Sequence, residues 1–106
     1  NNEEETRMKI EKPAIAGTLE SSDCMVTVEP GNGTITMNLE SAVMNQFGEQ
    51  IQKVVKETLE RLEVNDVNIR IVDKGALDCT IKARVECAVY RSVGQKKNLP
   101  WGGVIR

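Results

Sequence analysis

The sequence predicts an α+β domain. Two β-hairpins, joined by one long amphipathic helix, form an antiparallel or mixed sheet with the helix laid over one face, in the order ββαββ. Three observations carry this. Thr34 to Glu40 alternates strictly between two faces and follows a Pro30-Gly31-Asn32-Gly33 turn signal. Apolar residues from Val43 to Leu62 recur at helical spacing. Two more alternating runs, Val67 to Val72 and Leu77 to Val89, flank a turn at Asp73-Lys74-Gly75-Ala76. A chain of 106 residues is one domain with one modest core.

Taken in order, Ala14 to Leu19 is small, apolar and interrupted by Gly17, which suits a short extended segment with a bend or a close approach to another chain. Cys24, Val26 and Val28 share one face of a strand over Cys24 to Glu29. That strand and Thr34 to Glu40, with Ile35, Met37 and Leu39 inward, form the first hairpin. Ser41 is placed to cap the helix. Val43, Phe47, Ile51, Val54, Val55, Thr58 and Leu62 make its apolar stripe, and Gln46, Glu49, Lys53, Lys56, Glu57 and Glu60 fill the other face. Val67, Ile69 and Ile71 begin the second hairpin. Its last strand is long and bent, carries Leu77, Cys79, Ile81, Ala83, Val85, Cys87 and Val89 on one face, and could turn helical near Ala88 to Ser92. The sheet face away from the helix is left for the N-terminal arm, the tail or another subunit to cover.

The ends differ from the body. Asn1 to Arg7 is polar and acidic, and Met8-Lys9-Ile10 reads like a translation start, so residues 1–7 are expected to be a disordered extension or expression remnant. The single α+β domain is then expected over 8–93. Residues 94–106 form a flexible tail whose Leu99-Pro100-Trp101 cluster is suited to anchoring a partner.

Composition excludes several functions. The net charge is −2, the basic residues are scattered, and Phe47, Tyr90 and Trp101 are the only aromatics, so nucleic acid has no basic patch or stacking platform to bind. No apolar run approaches the ~20 residues of a membrane span. The three cysteines, Cys24, Cys79 and Cys87, are widely spaced without a C-x-x-C. They give no metal-ligand set and read as reduced thiols of a cytoplasmic protein, with Cys79 and Cys87 suited to buried packing. There is no histidine. The groups left for acid–base work are Glu20 and Asp23 beside the serines, and Asp73, Lys74 and Asp78 at a turn, each explained by turn formation and solvation. The chain is therefore not expected to be an enzyme by itself, and no catalytic residue is assigned.

The remaining feature is Glu20-Ser21-Ser22-Asp23, which presents hydroxyls at a turn. Without an imidazole to activate it, such a serine is better suited to being acted upon than to attacking a substrate. Turn formation alone also accounts for these residue types.

Met8-Lys9-Ile10, then Pro13-Ala14-Ile15-Ala16-Gly17-Thr18-Leu19-Glu20-Ser21 and Asp23, resemble the start of the acyl carrier protein (gamma subunit) family of citrate lyase. Gln46-Phe47-Gly48, Asp73-Lys74-Gly75-Ala76-Leu77-Asp78-Cys79 and Leu99-Pro100-Trp101 continue the resemblance in order, from Met8 to about Trp101. It implies a carrier subunit whose serine at the end of Gly17-Thr18-Leu19-Glu20-Ser21 bears a covalent 2'-(5''-phosphoribosyl)-3'-dephospho-CoA group. That serine is Ser21; Ser22 stands where the family often has glycine, and the sequence alone leaves Ser22 as the alternative. The implied partners are the citrate CoA-transferase (alpha) and citryl lyase (beta) subunits, and the prosthetic-group transferase that installs the arm. The implied role is to carry acetyl and citryl thioesters while citrate is cleaved to acetate and oxaloacetate. The thiol belongs to the arm, so the chain's own cysteines need no chemical role. The expected fold is not the four-helix bundle of fatty-acid carriers, whose Asp-Ser-Leu motif is absent. The rival readings are the related acyl carrier of malonate decarboxylase and an unmodified interaction or scaffold domain.

Overall fold

The computed structural model describes residues 10–41 and 44–93. The expected extension at 1–7, Met8, the side chains of Val43 and Phe47, and the tail at 94–106 lie outside the described residues. Six elements follow in order: β1 (Ala14–Gly17), β2 (Cys24–Pro30), β3 (Ile35–Ser41), α1 (Met44–Arg61), β4 (Val67–Asp73) and α2 (Asp78–Ser92). The four strands form one mixed sheet in the order β1-β2-β4-β3. The α+β class and the long amphipathic helix are as expected, and the molecule is no helical bundle.

The first hairpin is corrected. β2 and β3 are not neighbours, because β4 lies between them, antiparallel to β2 and parallel to β3. β4 pairs along its whole length on both sides, from Cys24↔Asp73 to Pro30↔Val67 and from Ile35↔Val67 to Ser41↔Asp73. Its inward residues Val67, Ile69 and Ile71 are fully buried, and that apolar density suits the centre of a sheet. The Pro30-to-Thr34 connection straddles the start of β4 instead of closing a hairpin. Val67 N–H donates to Thr34 O (3.1 Å), and Gly33 N–H donates to Asp66 Oδ1 (2.9 Å). A Cβ on Gly31 would stand 2.5 Å from Asp66 Oδ1, so this glycine permits a close approach. A true hairpin does exist one step earlier, where β1 and β2 pair antiparallel from Ala14↔Val28 to Gly17↔Met25.

The second hairpin is also corrected: Asp78–Ser92 is a helix. Ile81, Val85 and Val89 are spaced by four, an even number that fits a strand and also lies close to the 3.6 period of a helix. Of the buried residues, Ile81, Val85, Ala88, Val89 and Ser92 follow the helical period and Tyr90 stands beside it, while Cys79 and Ala83, inward on the strand reading, are exposed. Lys82, Ala83, Arg84, Glu86 and Ala88 favour a helix on propensity.

α1 follows its expected stripe at Ile51, Val54, Val55 and Thr58; Leu59, not in that stripe, is fully buried, and Leu62, expected in it, is half-buried just past the helix end. Ile51, Val54, Val55, Thr58 and Leu59 are buried at i, i+3, i+4, i+7 and i+8, and Thr58 Oγ1 donates back to Val54 O (2.8 Å). Its C-terminus closes by two bonds, Glu63 N–H to Glu60 O (3.0 Å) and Val64 N–H to Leu59 O (2.9 Å), with Glu63 at φ 61°. This is a Schellman arrangement that ends the helix without a glycine. Ser41, expected as the cap at the other end, is followed by residues 42–43, which lie outside the described residues, so that expectation is untested. It is the last residue of β3, and its hydroxyl donates to Asp73 Oδ2 (2.9 Å).

Both helices lie on one face of the sheet, α2 over β1 and β2 and α1 toward β3, and they also pack on each other. The core between the layers contains Ala16, Cys24, Val26, Val28, Ile69 and Ile71 from the sheet and Val55, Leu59, Ile81, Val85 and Val89 from the helices. Thr27, Arg70, Asn38 and Glu40 alternate with those inward positions and so belong to the opposite face, together with apolar Ile15, Met25 and Val72; there Arg70 and Glu40 form an exposed ion pair (2.9 Å). The polar residues suit a face that meets water.

Candidate functional site

The Glu20-Ser21-Ser22-Asp23 segment is the turn of the β1–β2 hairpin. Asp23 N–H donates to Glu20 O (3.1 Å), and Ser22, third in the turn, has φ 67°. A positive φ at that position is the pattern of a type II turn and favours glycine. Ser21 occupies the second position. Both serines are exposed, and neither hydroxyl is bonded to another described residue.

The turn is held rigidly from beneath. Asp23 accepts four hydrogen bonds. Its Oδ1 accepts from Cys24 N–H (2.7 Å) and Arg84 Nε (3.0 Å), and its Oδ2 accepts from Arg84 Nη2 (2.9 Å) and Thr18 Oγ1 (2.7 Å). The guanidinium fork thus grips the carboxylate with two parallel bonds. These bonds, the Arg84 contact foremost, hold the Asp23 carboxyl far below the usual carboxylate range. Thr18 Oγ1 in turn accepts Glu20 N–H (3.2 Å), and Thr18 N–H donates to Cys24 O (3.2 Å).

Gly17 makes this closure possible. Its φ is 97°, and a Cβ there would lie 1.9 Å from Cys24 O and 3.2 Å from the Arg84 side chain. Cys24 is completely buried, and burial foremost, with the nearby Asp23 and Asp73 charges, pushes its thiol up to about 11.

A second loop braces the first. Ser22 N–H donates to Lys74 O (2.8 Å), and Lys74 N–H donates to Asp23 O (2.9 Å). Lys74 begins the turn from β4 to α2, which buried Asp73 organises by accepting Gly75 N–H (3.1 Å) and Ala76 N–H (2.9 Å). Asp73, Lys74 and Asp78 therefore do not converge as an acid–base group. Asp73 orders the turn, Lys74 uses its main chain, and Asp78 accepts from Gln50 Nε2 (2.9 Å).

The residues expected at the site, Gly17, Thr18, Leu19, Glu20, Ser21 and Asp23, are thus one loop. Arg84, 61 positions away from Asp23 and on α2, is the site residue that the sequence pattern does not mark, because an alternating strand gives it no partner in the loop. Asp23 does not act as a free negative charge beside the serines, because Arg84 neutralises it. Cys79 is not packed in the core as expected, whereas Cys87 packs against it. On a helix Cys79 is exposed, lining the open groove between α1 and α2, and Cys87 is half-buried. No group of three His, Cys, Asp or Glu side chains among the described residues could hold a metal ion. Nor is any described helix long and apolar enough to cross a membrane.

Comparisons with known proteins converge on one class. Residues 11–92 match the family model described as Malonate decarboxylase delta subunit (MdcD). The chain is 56% identical over 96 residues to the citrate lyase acyl carrier protein of Clostridium perfringens, covering 90% of this chain and 94% of that one. It is 55% identical to the citrate lyase acyl carrier protein of Streptococcus uberis (82% and 86% covered) and 52% identical to that of Vibrio cholerae (89% and 96% covered). Among solved structures, a chain of a Pseudomonas malonate decarboxylase hetero-tetramer in complex with malonate superposes with a TM-score of 0.70. It is 22% identical and covers 81% of this chain and 89% of that one, a likeness of fold.

Proposed function

The chain belongs to the citrate lyase acyl carrier protein family, and from that premise we infer that Ser21 is the residue on which its acyl groups ride. It is a carrier subunit and not itself a catalyst, and the family works through a covalently attached prosthetic group. We take that group to be 2'-(5''-phosphoribosyl)-3'-dephospho-CoA, whose thiol would hold acetyl and citryl groups as thioesters. The partners would be the citrate CoA-transferase and citryl lyase subunits, in the cytoplasm, where the three unpaired cysteines stay reduced.

The observation that carries the reading is an exposed, unbonded hydroxyl on a turn clamped by Arg84 and Lys74. A covalent arm needs no cavity in the carrier, only an accessible oxygen at a fixed place. The clamp keeps the backbone of the turn from wandering, and a tethered thiol then samples each partner site at high effective concentration. Ser21 is preferred to Ser22 because Ser22 fills the slot that favours glycine and its N–H is committed to Lys74. The malonate decarboxylase carrier is the second reading. The structural likeness to it extends to the fold, while identity above half of the aligned residues lies with citrate lyase carriers.

The paired variants Ser21→Ala and Ser22→Ala test the assignment. Both fold, since an exposed turn serine contributes little stability. Incubated with the prosthetic-group transferase and its activated donor, Ser22→Ala gains the mass of the group and Ser21→Ala does not. The group mapped to Ser22 would reverse the assignment.

A further inference from the structure

We propose that Leu19 and Leu77 form the docking surface for the enzyme that modifies the carrier, a proposal that rests on the reading of Ser21. Among the described residues three large apolar side chains are exposed: Ile15 (53%), Leu19 (52%) and Leu77 (71%). A solitary exposed leucine needs no explanation. These two are distinguished by where they sit. Leu19 lies two residues before Ser21. Leu77 ends the turn that begins at Lys74, and Lys74 is tied by two main-chain hydrogen bonds to Ser22 and Asp23. The two leucines therefore stand on braced loops at the serine end of the molecule.

Leu77 carries a second, independent signal. It fills the N-cap position of α2, makes no side-chain cap bond, and uses only its carbonyl, which accepts from Thr80 and Ile81 N–H (3.0 Å each). Stability favours Ser, Thr, Asp or Asn in that slot. The position instead holds the most exposed of the three apolar side chains, a choice the fold does not require.

The chemistry selects the occupant. Acyl-processing subunits act at the far end of a long arm and can stand clear of the loop. The modifying enzyme must bring its catalytic groups to Ser21 Oγ itself. Attachment forms one bond from Ser21 Oγ to the ester-bearing phosphorus of a donor that carries the group on a phosphoanhydride chain. It breaks the P–O–P anhydride bond next to that phosphorus, the outer phosphate portion departs with the electron pair, and the hydroxyl proton passes to a base. The chain has no histidine, and the Asp23 carboxylate is committed to Arg84 and Thr18, which leaves exposed Glu20 or a group of the partner as the base, while the donor itself is brought by the partner. An enzyme that close covers the residues around Ser21, and burying a leucine there supplies affinity.

The test is steady-state modification of the full chain by the purified prosthetic-group transferase with its activated donor, comparing wild type, Leu19→Ser, Leu77→Ser and the control Ile15→Ser. Melting curves and peptide mapping accompany the kinetics. The expected result is a KM for the carrier raised about tenfold or more in each leucine variant, with kcat within about twofold and Ile15→Ser unchanged. Leu77→Ser should melt at the same or a higher temperature, because serine caps better, so its loss of affinity is not a loss of fold. If Leu19→Ser proves unstable, Leu77→Ser alone decides. Unchanged KM in the leucine variants, with the group mapped to Ser21, overturns the docking surface and leaves the Ser21 reading standing. Unchanged KM with both melting temperatures lowered assigns the leucines to the chain's own packing and also overturns it. A group mapped elsewhere in wild type overturns the Ser21 reading, and the proposal with it.

Discussion

At the residue scale the site is a matter of which groups are free and which are committed. Ser21 is free, and Asp23 is committed four times over, chiefly to Arg84. Because the folded Asp23 carboxyl sits far below its ordinary value, its ionisation stabilises the fold at every pH above about 3.9. That contribution fades as pH falls from there toward the folded value. Asp23→Asn is therefore expected to melt lower than wild type at pH 7, with the difference shrinking as pH drops below about 4; melts at a series of pH values check it. The cysteines give a second expectation. Cys24 is buried with its thiol pushed up to about 11, while Cys79 is exposed. Brief alkylation of the native chain at neutral pH should label Cys79 and spare Cys24, with peptide masses as the readout. The sequence marked Ser21 and its loop because those residues are contiguous. It gave no sign of Arg84, whose role depends on α2 crossing beneath a loop 61 positions earlier.

At the scale of elements, β2, β3, α1 and β4 were legible because each follows one period without ambiguity, and β1 only as a short extended segment of small apolar residues. α2 was not, since Ile81, Val85 and Val89 satisfy both periods and only Cys79, Ala83, Ala88 and Ser92 separate them. The misread first hairpin has a different cause. The Pro30-Gly31-Asn32-Gly33 signal is local, and whether a third strand inserts between its arms is decided by the burial of β4 on both edges. Gly17 shows how tightly the β1–β2 hairpin is built. Gly17→Ala combines a positive φ with a Cβ 1.9 Å from Cys24 O. It should cost at least ~2 kcal/mol and lower the melting temperature by roughly 8 °C or more. A melt within a degree of wild type would mean that the hairpin closes some other way.

At the scale of the whole molecule, one sheet carries both helices on one face and presents a mixed face on the other, Thr27, Arg70, Asn38 and Glu40 beside Ile15, Met25 and Val72, with the serine loop projecting from the end of the β1–β2 hairpin. The arrangement provides a fixed point of attachment and leaves the chemistry to an arm and to other subunits. The central claim is that this chain carries acyl groups on a covalent group at Ser21. The most direct measurement is intact mass and peptide mapping of the chain taken from the native complex, before and after hydroxylamine. The account predicts one covalent group on the peptide containing Ser21, bearing an acetyl that hydroxylamine removes as expected for a thioester. An unmodified chain, or an acetyl bound to one of the chain's own cysteines, would contradict it.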